Sequence, residues 1–332
     1  MAGVGYLMKS FFDFTRMELA GHLGSIARAT RLYHSVYRDR VTAIEHFDLA
    51  LPSLVSCFES ADGARRYLFQ LADGEVVEGV LIPEKQRFTF CISSQVGCAL
   101  ACEFCLTGQL GLTRNLSAGE IVSQVLVQRA EIPSGGASRF SVVLMGMGEP
   151  LQNYENVLQA IQILADDHGL AVPLHRITLS TAGLMPGLER LSKESLFPNL
   201  SISLTGATNT IRDRLMPINR KYPIEDVVGF VRGLPVSRRK RVMFEYVMIK
   251  GVTDSAADAG RLSKLLGGLG TKMNLIPLNQ SPDLNFERAD HADILRFQQI
   301  LLKAGVTTFI RKTRGDDVSG ACGQLKKAGL SA

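Results

Sequence analysis

Four of the six cysteines of this chain lie in one short segment, CISSQVGCALACEFC (91–105). Three of them have the spacing Cys98-x3-Cys102-x2-Cys105, and Cys91 stands seven residues upstream of Cys98. Cysteines clustered in a long chain favour metal or redox chemistry in a reducing compartment over a disulfide scaffold. The segment therefore predicts a metal or redox site, with a buried structural trio of cysteines as the alternative.

A structural zinc site fits the cysteines poorly, because such a site needs four ligands, usually from two Cys-x2-Cys-like pairs. The triplet supplies three ligands, Cys57 and Cys322 stand alone, and the six histidines are not grouped. Ferredoxins bind iron–sulfur clusters with a different cysteine spacing. Three thiolates that leave one position open suit a cluster in which one iron binds a substrate, as the open position of a catalytic metal site does.

The segment MGMGEP (145–150) is a second candidate for chemistry. It lacks the third glycine of a dinucleotide-binding fingerprint, and its plain interpretation is a tight turn after a strand. Alternatively, Gly148 lets the backbone approach a ligand, and Glu149 offers a carboxylate to an ammonium group. Polar residues follow three further strand candidates, although each alone is more typical of a helix cap or turn: Ser180, Ser203, Thr205 and Asn279.

These residues sit in an alternation of strands and helices that extends from residue 87 onward. Strand candidates are 87–92, 140–145, 175–180, 200–204, 241–248, 272–276 and 306–311. Helix candidates are 117–131, 154–166, 185–194, 223–234, 255–268 and 289–304. Ser117 and Glu120 form the sequence pattern of a capping box. The alternation predicts a parallel α/β sheet, open or closed into a barrel, with its site at the carboxyl ends of the strands.

The region before residue 87 has a different pattern. Residues 8–60 have helical apolar spacing and few strand signals. The stretch 67–83 then predicts a β-hairpin with Asp73-Gly74 at its turn.

The composition is that of a soluble globular protein, with 46% hydrophobic and 21% charged residues. No signal-peptide pattern and no apolar run of roughly 18 residues is present, so we expect a cytoplasmic protein without membrane association. The net charge of +5 permits a polyanionic partner without requiring one.

The motifs resemble those of known families. Cys98-x3-Cys102-x-Phe104-Cys105 resembles the signature of radical S-adenosylmethionine (radical SAM) enzymes, whose fold is a partial (β/α)6 barrel. The strings CISSQVGCALACEFCLTG, MGMGEPLQN, RITLSTAG, MPINRKYPIE, NLIPLN and RKTRGDDVSGACGQL resemble, in order, the RlmN/Cfr family of RNA adenosine methyltransferases. This resemblance implies a helical accessory, RNA-binding domain at 1–60, a β-hairpin extension at 61–86 and a radical SAM barrel at 87–332.

The resemblance also implies the cofactors and their ligands. Cys98, Cys102 and Cys105 would hold a [4Fe–4S] cluster whose open iron chelates SAM, and one electron would cleave SAM to a 5′-deoxyadenosyl radical. The residues implied in SAM binding are Phe104, Gly148, Glu149, Ser180, Ser203, Leu204, Thr205 and Asn279. Thr205 stands where the family usually has histidine.

A carrier cysteine is implied because carbons C2 and C8 of adenine are poor nucleophiles. Cys322, in ACGQL, would take a methyl group from one SAM, and the radical from a second SAM would activate it for addition to adenine. Cys91 would then release the RNA by forming a disulfide with Cys322. Glu78 aligns with a proposed proton acceptor, although strand alternation allows a solvent-facing position. A thiolate needs nearby positive charge, which Arg311, Lys312 and Arg314 are close enough in sequence to supply.

The leading hypothesis is C2 methylation of an adenosine in 23S rRNA, extending to tRNA. The alternatives are C8 methylation as in the Cfr branch, a radical SAM enzyme with another substrate, and a non-catalytic iron–sulfur protein. The leading hypothesis implies a monomer that takes electrons from an external donor such as flavodoxin.

Overall fold

The computed structural model describes residues 9–85, 87–132 and 140–326, so residues 1–8 of the predicted N-terminal domain and the hairpin boundary at Gln86 lie outside it. The strands are, in chain order, β1 (Ser53–Glu59), β2 (Arg65–Gln70), β3 (Val76–Glu84), β4 (Arg87–Cys91), β5 (Gln95–Cys98), β6 (Gly111–Asn115), β7 (Phe140–Leu144), β8 (Ile177–Thr181), β9 (Asn199–Ser203), β10 (Val242–Met248), β11 (Lys272–Pro277) and β12 (Thr307–Ile310). The α-helices are α1 (Arg16–Leu23), α2 (Ile26–Tyr37), α3 (Leu106–Gln109), α4 (Ala118–Ala130), α5 (Tyr154–Ala165), α6 (Met185–Leu191), α7 (Asn209–Leu215), α8 (Ile224–Gly233), α9 (Val236–Arg239), α10 (Ala256–Leu266) and α11 (His291–Lys303).

Ten of these strands form one sheet, in the order β1-β2-β3-β4-β7-β8-β9-β10-β11-β12. The strands from β1 to β4 pair antiparallel, and those from β4 through β7 to β12 pair in parallel. Parallel neighbours need long crossovers, and helices α4 to α11 supply them. The predicted α/β architecture is confirmed as an open, barrel-type sheet. The separate ribbon β5–β6 lies on the first crossover.

The local signals of this region are confirmed. Each strand and helix predicted after residue 87 is present within a few residues of its expected bounds. Ser117 Oγ accepts a hydrogen bond from the Glu120 N–H at 3.1 Å, and the Glu120 carboxylate accepts one from the Ser117 N–H at 2.9 Å. This reciprocal capping box fixes the start of α4. The hairpin is present as β2 and β3, and Gly74 turns between them with a φ of 86°.

The prediction of a helical N-terminal region is wrong at its end. Helices α1 and α2 are present, but residues 53–59 form β1, which pairs antiparallel with β2 at the edge of the sheet. Most β1 side chains are exposed or half-buried. Because backbone pairing rather than side-chain burial holds this strand, its sequence carries little of the alternation by which strands are recognised.

The two N-terminal helices pack on the outside of the barrel. Arg16 forms an ion pair with Asp166 at 2.9 Å, and the Asp13 carboxylate accepts a hydrogen bond from the N–H of Gly119 at 2.6 Å. Phe11 and Tyr33 belong to the main apolar core of the protein. This packing leaves the carboxyl edge of the sheet open. Within the described segments, no helix has the length and apolar character that crossing a bilayer requires.

Candidate active site at the carboxyl edge of the sheet

A solvent-open cavity of about 940 Å³ lies at the carboxyl ends of the parallel strands, and we call it the cluster cavity. Its walls come from the loops after β5 and β7, from the ends of β8 to β11, and from the C-terminal segment. Ligand sites of α/β sheets lie at this edge because loops from several strands meet there. The wall includes most of the predicted site residues: Cys98, Cys102, Phe104, Cys105, Gly148, Glu149, Ser180, Ser203, Asn279 and Cys322.

The three clustered cysteines lie on the loop between β5 and α3. Cys98 ends β5, and the chain then turns at Ala101, whose φ is 50°. The Cys105 N–H donates to the Cys102 carbonyl at 3.1 Å, and α3 begins at the next residue. Gly108 lets α3 pack against this loop, because a Cβ there would stand 2.9 Å from the Cys102 nitrogen. The loop and the helix thus hold the three thiols at one wall.

The thiol chemistry of this wall fits a cluster. Burial raises the pKa of Cys98 to about 12 and also raises the pKa values of Cys102 and Cys105. Such thiols stay protonated near neutral pH unless a metal group replaces the proton. In the described chain, no three His, Cys, Asp or Glu side chains could hold a single metal ion. A [4Fe–4S] cluster suits three such thiols, because it binds each thiolate through a different iron.

Glu149 is fixed in the wall of the cluster cavity by hydrogen bonds. Its Oε2 accepts from the Ala182 N–H at 2.8 Å, and its Oε1 accepts from the Leu151 N–H at 3.1 Å. Burial raises the pKa of Glu149, and hydrogen bonds from Ala182, Thr181 and Leu151 oppose this shift. A cationic ligand group would offset the cost of burying the carboxylate. The arrangement fits the ammonium group of SAM.

The glycines of MGMGEP allow the turn after β7 to pack against the segment that follows β4. A Cβ on Gly146 would stand 2.7 Å from Ser93 Oγ and 2.8 Å from the Ile92 backbone. Gly148 has a φ of 102°, and a Cβ there would stand 2.6 Å from the Gln95 Cβ. The geometry thus supports the tight-turn interpretation for both glycines, while Gly148 also lines the cluster cavity.

The strand-end residues divide into two groups. Ser180 and Ser203 line the cluster cavity from the ends of β8 and β9. Leu204 belongs to the main apolar core, and the fully buried Thr205 accepts a hydrogen bond from the Val247 N–H at 3.3 Å. Neither of these two residues is part of the cavity wall. Both residues are fully buried directly after β9.

Cys322 reaches the cluster cavity because the C-terminal segment docks against the cysteine loop and β11. The Leu106 N–H donates to the Gly323 carbonyl at 2.8 Å, next to Cys105. Asn279 Nδ2 donates to the Cys322 carbonyl at 2.9 Å. The Oδ1 atom of Asn279 is buried and has no hydrogen-bond partner within the described chain. This acceptor is available to a donor group of a ligand in the cavity.

A second cavity, of about 560 Å³ including space open to solvent, also has Cys322 in its wall, and we call it the basic cavity. Cys91 and Cys322 both line it, so the fold brings these distant cysteines to one site. Burial raises the pKa of Cys91 to about 12, and the charge of Cys322 adds to this effect. Arg311 lies beside both sulfurs, and its Nη1 stands 3.3 Å from Glu245 Oε1. The charge of Cys322 is the main cause that raises the pKa of Arg311.

The two cavities have opposite charge. The described wall of the cluster cavity holds the carboxyl groups of Glu149 and Glu245 and no lysine or arginine. The described wall of the basic cavity holds Arg311, Lys312 and Arg314 and no carboxyl group. A cationic ligand therefore suits the first and an anionic ligand the second. Four residues line both cavities: Met145, Ile276, Asn279 and Cys322.

Glu78 lies behind the basic cavity. Its side chain is 0% exposed and forms an ion pair with Arg66 at 3.5 Å, so the solvent-facing alternative is wrong. It lines neither cavity. Alternation along β3 places it on the same face as Val80 and Ile82, which do line the basic cavity.

Sequence reasoning missed three residues at this site. Glu245 faces the cluster cavity from β10, and its signal is a carboxylate inside the apolar run VMFEYVM, since buried charges need partners. Thr181 lies beside Ser180 and contacts Glu149. Gln324, two residues after Cys322, is buried, accepts a hydrogen bond from the Ala321 N–H and donates one to the Gln280 carbonyl.

Comparisons with known proteins agree with this chemistry. The profile of the Radical SAM superfamily matches residues 92–261. A curated relative from Campylobacter concisus, "Dual-specificity RNA methyltransferase RlmN", is 44% identical over 96% of this chain and 91% of its own length. A relative of the same name from Geobacter sulfurreducens is 49% identical over 80% of this chain and 72% of its own length.

A solved structure extends the agreement to the fold. A radical SAM methyltransferase from Sphaerobacter thermophilus matches with a TM-score of 0.90 and 38% identity, over 96% of this chain and 100% of that one. The resemblance, the barrel fold and the methyltransferase class predicted from the motifs are confirmed. The superfamily implies a [4Fe–4S] cluster and SAM, which the residues of the cluster cavity fit. The chain belongs to the RlmN/Cfr family of radical SAM RNA methyltransferases.

Proposed function

We propose that this enzyme methylates C2 of an adenosine in RNA, with Cys322 as the methyl carrier. The observation that carries the proposal is the position of Cys322 in the wall between two cavities of opposite charge. SAM is a sulfonium cation and matches the acidic cluster cavity, while RNA is a polyanion and matches the basic cavity. A sulfur accessible from both sides can accept a carbon on one side and deliver it on the other.

The residues of the cluster cavity would hold the cofactors. Cys98, Cys102 and Cys105 would bind the [4Fe–4S] cluster, which together with bound SAM supplies, after one-electron reduction, the radical that abstracts hydrogen. Glu149 would accept hydrogen bonds from the ammonium group of SAM. Asn279 Oδ1 would accept a hydrogen bond from a further donor group of the bound SAM. The other proposed SAM contacts are Phe104, Gly148, Ser180 and Ser203. Leu204 and Thr205 would act from the loop behind Ser203.

Cys322 would act twice in each turnover, which therefore consumes two SAM molecules. Its thiolate would first attack the methyl carbon of one SAM, forming S-methyl-Cys322 as S-adenosylhomocysteine leaves. Hydrogen abstraction from this methyl then allows its carbon to bond to C2 of adenine. Arg311 stands beside the sulfur as the available positive charge, held in place by Glu245. A thiolate nucleophile requires such an environment.

Cys91 and Glu78 would complete the reaction from the side of the basic cavity. Glu78 would take up the proton that leaves C2, acting from the sheet face behind this cavity. The Cys91 thiolate would attack the Cys322 sulfur, so that a disulfide forms as the bond from sulfur to the transferred carbon breaks. That carbon would take up a proton to become the methyl group, and the electron left over would return to the iron–sulfur group that supplied it. Methylated RNA then leaves, and a thiol reductant must reduce the disulfide before the next turnover.

The relatives are named dual-specificity RNA methyltransferases, which supports 23S rRNA and tRNA as the RNA substrates of this chain. The helical N-terminal region would contribute to RNA binding. We further propose a cytoplasmic monomer that receives electrons from an external donor such as flavodoxin.

Nucleoside mass spectrometry tests the proposal. The reconstituted enzyme is incubated under reducing, anaerobic conditions with unmodified 23S rRNA and tRNA transcripts, and the RNA is digested to nucleosides. We expect 2-methyladenosine. Detection of 8-methyladenosine instead would assign the chemistry of the Cfr branch, and the absence of any methylated adenosine would refute RNA methylation.

Three cysteine variants separate the roles of the sulfurs. Cys322→Ala should abolish methylation while 5′-deoxyadenosine is still formed from SAM. Cys91→Ala should accumulate a covalent protein–RNA adduct, visible as a slow band on a denaturing gel. Cys57→Ala is the matched control, because Cys57 is exposed and lines neither cavity. Normal turnover by Cys91→Ala would contradict its assigned role.

A further inference from the structure

Four consecutive residues directly after β12, Arg311 to Arg314, line the basic cavity, and we call this segment the lip. Two of its three cations are already engaged. Arg311 is paired with Glu245 at 3.3 Å. Arg314 stands 3.7 Å from Asp62 and donates to the Pro83 carbonyl at 3.4 Å.

Lys312 differs from both arginines. It is exposed, lines the basic cavity, and makes no hydrogen bond or ion pair with any described residue. The nearby carboxylates are already bound elsewhere: Asp316 to Arg288 at 2.9 Å, and Asp317 to the Ala61 N–H at 2.9 Å. The lip therefore presents one uncompensated positive charge to solvent, at the mouth of a cavity that ends at Cys322.

The remaining walls of the same cavity carry few polar groups. They are largely apolar, from β3 on one side and from the strand ends and the C-terminal segment on the other. A nucleobase that is taken out of its stack needs apolar faces on both sides, and its phosphate remains outside. The apolar wall residues are Val80, Ile82, Met145, Ile276, Ala321 and Leu325.

We propose that Lys312 binds a backbone phosphate of the RNA next to the nucleotide that enters the basic cavity. This inference rests on the proposed function, since it takes the ligand of the basic cavity to be a nucleotide of the RNA substrate. Lysine binds phosphate as a point charge on a flexible stem, which tolerates any sequence around the target. Arg314 is a positioning residue that ties the lip to the turn between β1 and β2 through Asp62.

RNA binding as a function of salt tests the role of Lys312. The probe is a fluorescent RNA stem-loop with an adenosine in its loop, titrated with the complete, cluster-loaded enzyme between about 50 and 200 mM salt. Lys312→Ala should weaken binding about 10-fold at the lower salt concentration. It should also reduce the slope of log K against log salt by about 0.7, the value for one contact to a single strand. Lys312→Arg should restore both quantities, which a merely structural role would not produce.

Lys303→Ala is the matched control, because Lys303 is also exposed but lies at the end of α11, outside both cavities. It should bind RNA with the affinity and slope of the unaltered enzyme. Equal slopes for Lys312→Ala and the unaltered enzyme, in a preparation that methylates RNA, would overturn the inference and leave the proposed function standing. If the unaltered enzyme neither binds nor methylates RNA, both are refuted.

Discussion

Gln324 holds the segment around Cys322 in place, and its replacement by glutamate tests how Cys322 is positioned. The side chain of Gln324 is 2% exposed. Its Nε2 donates to the Gln280 carbonyl at 2.8 Å and to Asp316 Oδ1 at 2.7 Å, while its Oε1 accepts from the Ala321 N–H at 3.1 Å. These bonds fasten the segment that carries Cys322 to the loop after β11.

Gln324→Glu keeps the size and shape of the side chain but removes both donated hydrogen bonds. Each bond contributes about 1 kcal/mol net. The new carboxylate also faces Asp316, whose partial exposure limits the repulsion to about 1 kcal/mol. The sum, about 3 kcal/mol, shifts the equilibrium between docked and undocked segment roughly 150-fold toward the undocked form.

Hydrogen exchange measures this shift directly. The amides of Gly320 and Gln324, which donate to Gly315 and Ala321 in the docked segment, should exchange roughly 150-fold faster in Gln324→Glu. RNA methylation should fall, while formation of 5′-deoxyadenosine from SAM continues. Gln298→Glu is the control. Gln298 lies on helix α11 and donates one hydrogen bond to the Thr308 carbonyl on β12, outside the segment around Cys322. Unchanged exchange in Gln324→Glu would show that other contacts place Cys322.

Three further outcomes follow from the packing and the thiol environment. Gly146→Ala places a Cβ 2.8 Å from the Ile92 backbone and should lower the free energy of unfolding by about 2 kcal/mol, measured by urea denaturation. Arg212→Met removes a fully buried guanidinium that donates to three carbonyls at the ends of β8 and β9, and should cost about 3 kcal/mol in the same assay. Because burial raises the pKa of Cys91 to about 12, its alkylation by iodoacetamide at pH 8 should be slower than that of the exposed Cys57 and should accelerate as the pH rises.

The fold after residue 87 could be predicted because its signals are local. Apolar strands alternate with amphipathic helices there, and helix caps such as Ser117 are recognised from residues a few positions apart in sequence. β1 could not be predicted in the same way. It pairs through its backbone at an exposed edge, and nothing in its side chains distinguishes it from the helical spacing upstream.

Part of the candidate site could be predicted from the spacing of the cysteines and from the rule that sites lie at the carboxyl ends of parallel strands. They place the cysteine loop, Ser180, Ser203 and Asn279 in one cavity. They do not place Thr205, which lies outside the cavity wall because its buried hydroxyl accepts a hydrogen bond from the Val247 N–H. The sequence also contains three cations near Cys322, Arg311, Lys312 and Arg314, but it does not indicate which of them lies beside the sulfur. Contacts between residues distant in sequence determine which cation it is, because Glu245 on β10 pairs with Arg311 and holds it beside the sulfur.

If Cys322 carries the methyl group, as we propose, the arrangement of charge gives a reason for such a carrier. A cavity complementary to a sulfonium cation repels the phosphates of RNA, and a basic cavity repels the sulfonium. A single cavity for both ligands would therefore weaken the binding of at least one. Two cavities with a common wall remove this conflict, provided that one group in the wall is accessible from both. Asn279 donates a hydrogen bond to the Cys322 carbonyl and keeps Oδ1 available in the same wall. A ligand in the cluster cavity that binds Oδ1 would therefore help to fix the backbone of Cys322.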